Sequence, residues 1–207
     1  MKNILIIGSG GHAHSCIEII ESTKNYKIYG LISILKSKNV LGYPIVGCEK
    51  ELKNFLKKVN IACIAIGQIK NPNIRFRLFN KLNKIGFNLP SIQSPLAICS
   101  RYAKVDSGTI IMHGSVINAA AEIGKNCIIN TQAIIEHDVK IDSHCHISTG
   151  AKLNGGVRVG QKSFIGSGVT IKEGVIIGSK VIIGLGQVIT RDIPDGAVIG
   201  GIKCKNQ

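Results

Sequence analysis

The 207 residues carry 26 Lys/Arg against 12 Asp/Glu, a formal net charge of +14, with only 4% aromatic residues and 7 cysteines. A chain of this length buries a core in one domain or two small ones, and no apolar run in it reaches bilayer-spanning length. The cysteines are scattered, odd in number and never spaced CxxC, which argues against a disulfide frame or a zinc ribbon and for reduced thiols. The one early apolar run, Ile4 to Ile7, is too short for a signal peptide, so a cytoplasmic protein is expected. The positive charge is concentrated in residues 1–95, with 14 Lys/Arg against 4 Glu. Such a field attracts polyanions, but base-stacking and groove-reading motifs are missing, which argues against nucleic acid. Small phosphorylated ligands, anionic lipid or plain solubility remain as reasons for the excess.

The first half alternates strand and helix signals. Asn3 to Gly8 reads as a buried strand closing on glycine, and the following SGGHAHSCIEIIES as a helix through Cys16, Ile19 and Ile20. Tyr26 to Ser33 reads as a second strand, Gly42 to Gly47 as a turn-rich connection, and Glu49 to Lys58 as a short amphipathic helix. Ile61 to Ile66 reads as a third strand, Asn73 to Ile85 as a basic helix, and Pro90 to Pro95 as a linker. Alternation of this kind predicts a parallel sheet with helices on its faces, an α/β Rossmann-like domain over 1–95.

The second half, 96–207, changes period. Stepping six residues at a time from Val105 to Ile189 meets an aliphatic residue at all fifteen positions. Four residues after each of the first fourteen stands Thr, Ser, Ala, Cys or Val, except at Gln187. Hexapeptide repetition is the signature of a parallel β-helix, with the aliphatic residue inward on each flat face and the small one near each corner. Three hexapeptides make one triangular coil, so about five coils are expected from 105 to 189. Cys127 and Cys145 both fall at the small position, one coil apart, and read as stacked small hydrophobes.

Two stretches carry chemistry. Gly8-Ser-Gly-Gly-His-Ala13 fits GxGxxA between strand and helix, where glycines let backbone approach a phosphate and the helix N-terminus offers free N–H groups. A dinucleotide site would add a carboxylate about 20 residues on, and Gly30 to Lys36 has none, so a single nucleotide sugar is preferred over NAD. A tight turn with no ligand is the plainer alternative. The stretch IIEHDVKIDSHCHISTGAKLNGG, from Ile134 to Gly156, holds three of the six histidines. His137 falls two residues after inward Ile135, near a corner, and Gly155 follows one coil later, stacked on it. His146 is half a coil from His137, so the two point in different directions and cooperate only between subunits. A general base suits His137, because imidazole ionises near neutral pH and a neighbouring carboxylate fixes its tautomer. Metal binding through His113, His137, His144 and His146 is the rival chemistry, and exposed turn residues the plain reading of His144 and His146.

The GSGGH loop, IAIG followed by Arg75, IINTQAIIEHD and HISTGAKLNGG together resemble the bacterial sugar O/N-acetyltransferases. These sialic-acid and bacillosamine-type enzymes are hexapeptide acyltransferases that join a small nucleotide-binding domain to a left-handed β-helix. The resemblance spans essentially the whole chain, and it implies a left-handed coil against the usual crossover preference. It further implies a homotrimer with active sites between prisms and acetyl-CoA as co-substrate, with no resident metal. It makes His137 the general base, Asp138 (or Glu136) its supporting acid, and Gly155 the oxyanion N–H donor. It sets Asn130 near the acceptor and His146 and Ser148 near acetyl-CoA. Gly166, Ser167, Gly184, Leu185 and Gly186 then follow along pantetheine and adenine, and Gly10, Gly11, His12, Gly67 and Arg75 line the nucleotide-sugar site. Two departures stand out: Ser33-Ile34 replaces the family's Asp pair at the nucleobase, and the closing Val198-to-Lys205 segment lacks its proline and alanine, leaving Lys203 and Lys205 for CoA phosphates.

The expected reaction is N-acetylation of a UDP-linked 4-amino-deoxy sugar. O-acetylation of a sialic-acid-type sugar, a gamma-carbonic-anhydrase-like zinc site and a non-catalytic trimeric scaffold are the alternatives.

Overall fold

The computed structural model describes residues 1–33, 39–69 and 71–200; Ile34, Lys203 and Lys205 lie outside them. The N-terminal part contains β1 (Lys2–Ile7), α1 (Gly11–Thr23), β2 (Tyr26–Ile32), β3 (Asn39–Val40), β4 (Tyr43–Gly47), α2 (Leu52–Phe55), β5 (Ala62–Ile64) and α3 (Asn73–Ile85). The sheet order is β3-β4-β2-β1-β5, parallel except for the β3–β4 pair. In β1 the period of two divides the apolar run between two layers. Ile4 and Ile6 pack with Ala13, Cys16, Ile17 and Ile20 of α1 on one face, while Leu5 and Ile7 pack with Leu78, Phe79 and Leu82 of α3 on the other. Helix α3 follows Pro72 and stops at Gly86, whose φ of 105° only glycine adopts cheaply. Two expectations for this part are corrected. Gly42 to Gly47 is no connection: Tyr43–Gly47 forms β4, paired parallel to β2. The helix expected over Glu49 to Lys58 shortens to a 3-10 turn at Glu49–Glu51 and the four residues of α2.

The C-terminal part is a three-sided prism of two-residue strands in parallel sheets of seven, six and five strands. Neighbouring rungs are 18 residues apart, as in Ile129 against Ile147 and Ile135 against Leu153. The inward residues from Ile111 to Ile189 form one core column, with the small residues from Ala121 to Val181 filling its corners. Each turn between faces places one residue in the left-handed region, at Gly108, Gly114, Ala120 and every sixth residue to Gly186. The prism begins earlier than the aliphatic ladder: Ile92–Gln93 pairs with Ile110–Ile111, so the segment expected as a linker holds the first rung. It also runs on past Ile189, because Ile183 pairs with Ile199 through a shortened coil.

The two parts dock through the seven-stranded face. Its outward residues Ile92, Ile110 and Ile128 are at most 3% exposed and join the core beneath α1. This accounts for the doubled isoleucines 110–111 and 128–129, whose outward members would otherwise face water.

Candidate active site

The carboxyl ends of β1 and β2 open onto a cavity of about 330 Å³ lined by Gly8, Ser9, Gly10, Ser33, Glu49, Ile66 and Arg77, among others. Strand order reverses at β1, and such a crevice is where open α/β sheets take ligands. A Cβ on Gly8 would lie 2.7 Å from the carbonyl of Ala65, so the loop turns only with glycine there. Gly10 and Gly11 face open space at the start of α1, where the first helical N–H groups have no intrahelical partner. Gly67 and His12 come together, since a Cβ on Gly67 would sit 3.7 Å from that of His12. Burial, then the charge of Arg75 and His146, holds the imidazole of His12 down at about 3, so it is neutral.

Ser9 of the glycine loop and Ser33, expected at the nucleobase, line the cavity, whereas sequence reasoning missed Glu49 and Arg77. Ser9 and Ser33 share a 2.5 Å hydroxyl contact. Glu49 pairs with Arg77 and with Lys81 Nζ at 2.8 Å. Hydrogen bonding from Arg77, supported by Lys81, brings the carboxyl of Glu49 down to about 2. No local motif marks Glu49, Arg77 and Lys81, which meet across 28 and 32 positions of chain.

His137 stands at the corner between the six- and five-stranded faces. Its ring is 66% exposed, and Nδ1 meets Asp138 Oδ2 at 2.8 Å. The carboxylate accepts from Nδ1–H, which leaves the Nε2 lone pair outward. Asp138 occupies the left-handed turn position, φ 61°. Gly155 lies under the ring: a Cβ there would be 2.7 Å from both Cε1 and Nε2. The next residue, Gly156, donates its N–H to the carbonyl of His137 at 2.9 Å, stitching the two coils together. Glu136, the other candidate acid, instead accepts from Asn118 at 2.9 Å.

Asn130, His146, Ser148 and Ser167 gather at the opposite edge of the six-stranded face. His146 donates from Nδ1 to the carbonyl of Gln68 at 2.5 Å, and its Nε2 accepts from Asn130 Nδ2 at 3.2 Å. The hydroxyls of Ser148 and Ser167 are 2.9 Å apart. His137 and His146 belong to different faces, so one chain does not bring them together.

His144 and His146 are not exposed turn residues: they are 7% and 6% exposed, because the N-terminal part covers them. Phe76 and Phe79 of α3 meet the ring of His144 edge-on. Burial is the first cause that brings both imidazoles down to about 4. Arg75 is corrected more sharply. Expected to line the nucleotide site, it is 1% exposed. Its guanidinium donates to the carbonyls of Ile64 and Ile66 at 2.8 and 2.7 Å and to Asn126 Oδ1 at 2.8 Å. It is a strut between sheet and prism, because only a planar fork of donors satisfies those oxygens at once.

Among the residues expected along CoA, Gly166 has a structural reason to be glycine, as a Cβ would meet the carbonyl of Ile183 at 2.6 Å. Gly186 (φ 69°) sits on an open corner, and Leu185 beside it is 75% exposed. Gly184 donates its N–H to the carbonyl of Ile199. Among the described residues no three His, Cys, Asp or Glu are grouped to hold a metal ion, and no helix is long and apolar enough to cross a membrane.

An α/β domain with a glycine loop, docked on a hexapeptide prism that displays a carboxylate-backed histidine, defines a hexapeptide-repeat acyltransferase. Residues 3–82 match the PglD N-terminal domain family, and residues 120–155 match the bacterial transferase hexapeptide (six repeats). None of the curated proteins is a match. Among solved structures, a mutant perosamine N-acetyltransferase from Caulobacter crescentus, in complex with CoA and GDP-perosamine, is 32% identical with a TM-score of 0.92, over 99% of this chain and 96% of that one. The acetyltransferase domain of PglB from Neisseria gonorrhoeae is 31% identical with a TM-score of 0.91, over 100% of both chains. WeeI from Acinetobacter baumannii, at 23% identity and a TM-score of 0.85, shares the fold. The chain belongs to the sialic-acid/bacillosamine-type sugar O/N-acetyltransferase family of left-handed β-helix hexapeptide acyltransferases.

Proposed function

We propose that this protein transfers the acetyl group of acetyl-CoA to the amine of a nucleotide-linked amino sugar, with His137 as general base. The observation that carries the reading is the contact of His137 with Asp138 over Gly155, at an exposed corner. With Asp138 accepting from Nδ1–H, Nε2 takes a proton from the attacking amine as its nitrogen bonds to the thioester carbonyl carbon. The N–H of Gly155 steadies the oxyanion, and collapse of the tetrahedral intermediate expels CoA as thiolate, which takes the proton held on His137 Nε2 and returns the base to its starting form. The solved relatives with CoA and GDP-perosamine, and with acetyl coenzyme A, support this acceptor and donor.

The cleft lies between copies of the chain. The six-stranded face presents a largely apolar stripe of Ile98, Val116, Ile134 and Val188, interrupted by Lys152 and Thr170, with Ile98 66% and Val188 72% exposed. His137 stands at one edge of that face and Asn130 with His146 at the other. A three-fold arrangement that buries the stripe makes one copy's His137 face the next copy's Asn130, Ser148 and Ser167, with acetyl-CoA running past Gly166, Gly184, Leu185 and Gly186. Gly10, Gly11, His12 and Gly67 hold the diphosphate and sugar. Uridine is the sequence expectation, one relative was solved with a guanosine diphosphate sugar, and Ser33, Glu49 and Arg77 offer the base a different lining from a carboxylate pair.

The test is acetyl transfer to UDP- and GDP-linked amino sugars by the wild type and His137→Ala. The expected loss is about 10²–10⁴-fold in turnover with CoA binding retained. A variant as active as the wild type would sink the reading, and sedimentation that shows only monomers would sink the shared cleft.

A further inference from the structure

A main-chain carbonyl of the N-terminal part touches a side chain at the edge of the proposed cleft. Gln68 follows β5, and its carbonyl oxygen lies 2.5 Å from His146 Nδ1. A carbonyl only accepts, so Nδ1 carries the hydrogen and Nε2 keeps its lone pair. Asn130 Nδ2 is 3.2 Å from that Nε2 and donates to it. The other end of the same amide, Oδ1, accepts from the N–H of Thr131 at 2.8 Å. Both ends of the Asn130 amide are thereby assigned: oxygen to Thr131, one N–H to His146, and the second N–H left to donate. With the hydrogen on Nε2 instead, His146 would need an acceptor from Asn130. The amide would flip, and the N–H of Thr131 would face an NH₂ group.

We infer that Gln68 is a positioning residue: its carbonyl sets the tautomer of His146, which turns Asn130 so that it offers the cleft a hydrogen-bond donor. Docking of the N-terminal part thus prepares the far edge of the transfer site. Gln68 is itself pinned, 3% exposed, with its side-chain amide donating to the carbonyl of His144 at 2.8 Å. The groups facing the His146 ring are this carbonyl, Asn130, the edge of Phe164 and, farther off, the neutral imidazole of His12 and the Arg75 cation. None of them is an anion that would favour a second proton, and burial keeps the ring neutral at pH 7. The donor role at Asn130 rests on the acetyl-transfer reading; the tautomer does not.

Nitrogen-15 NMR of the full chain labelled at histidine tests it, with His146→Gln assigning the ring signals. At pH 7 the wild type is expected to show His146 protonated at Nδ1 and bare at Nε2. Gln68→Ala, which cuts the side-chain anchor, is expected to mix the two tautomers and lower kcat about 10- to 100-fold, with KM for acetyl-CoA little changed. Asn130→Asp, which removes the donor and adds a negative charge, is expected to raise the titration midpoint of His146 by about one unit or more. A wild-type His146 protonated at Nε2 overturns the inference even if no variant folds, and a Gln68→Ala protein that mixes the tautomers yet keeps the wild-type kcat overturns the positioning role. If the wild type shows the Nδ1–H form but transfers no acetyl group, the functional reading fails and the tautomer assignment stands.

Discussion

Gly155 forms the floor under the imidazole of His137, and a single methyl on its Cα would come within 2.7 Å of the ring at two atoms. Its φ is not in the left-handed region, so alanine fits the backbone. His137 is exposed and can swing aside, so Gly155→Ala is expected to leave stability nearly unchanged while kcat falls about 100-fold, the scale of a 1 Å misplacement. Thermal melts beside initial rates check this, and equal rates would mean that the ring position is not critical.

Asp138 combines two roles that substitution separates. Asp138→Asn keeps the shape but loses the charge that holds Nδ1–H, and a loss of about 10- to 100-fold in kcat is expected. Asp138→Gly loses the carboxylate too, yet relieves the left-handed conformation at φ 61°. That relief contributes about 1 kcal/mol, so this variant is expected to be less active and more stable than Asp138→Asn. A stability order the other way round would show that the carboxylate also supports the turn.

Stability should fall with acid well before the carboxylates protonate. His144 and His146 stay neutral in the folded chain down to about pH 4, whereas a histidine of the unfolded chain takes its proton near 6.5. Below pH 6.5 the unfolded state therefore binds more protons, and stability drops until the folded rings titrate near 4. For buried His146 this is on the order of 3 kcal/mol. Urea titrations at pH 7.5, 5.5 and 4.5 are expected to show the decline, with a shallower one in His146→Gln. A flat wild-type profile contradicts it.

Removal of the Arg75 fork leaves the carbonyls of Ile64 and Ile66 buried without their donor. Arg75→Met is expected to cost about 3 kcal/mol, the scale of unsatisfied buried polar groups. Nucleotide affinity of the folded fraction should stay unchanged, because this side chain does not line the cavity. A variant that melts normally but loses nucleotide would return Arg75 to the binding site.

Gly166→Ala sets its methyl 2.6 Å from the carbonyl of Ile183 on the next coil. A loss of about 1–3 kcal/mol in stability is expected even without CoA. Gly186→Ala meets no atom and carries only the left-handed penalty of about 1–2 kcal/mol. Thermal melts of the ligand-free variants check the pair, and an unshifted Gly166→Ala would leave CoA contact as the reason for glycine there.

The sequence by itself determined the prism, the parallel sheet and the stacking of Gly155 on His137, because all three follow from fixed periods. A step of six turns the chain through one face, 18 residues return it to the same edge, and alternation in β1 sorts its apolar residues between two layers. The ladder alone missed the first rung at Ile92–Gln93, where an exposed glutamine stands at the ladder position at the open end of the prism, and the shortened coil that ends at Ile199. Tertiary structure alone decided the roles that depend on docking: Arg75 as a strut, His144 and His146 under cover, Glu49 with Arg77 beside the cavity, and Gln68 against His146. These contacts join residues 28 to 78 positions apart with no repeat connecting them. Local pattern reports how a segment folds, whereas a buried charge or a tautomer depends on whatever another segment brings against it.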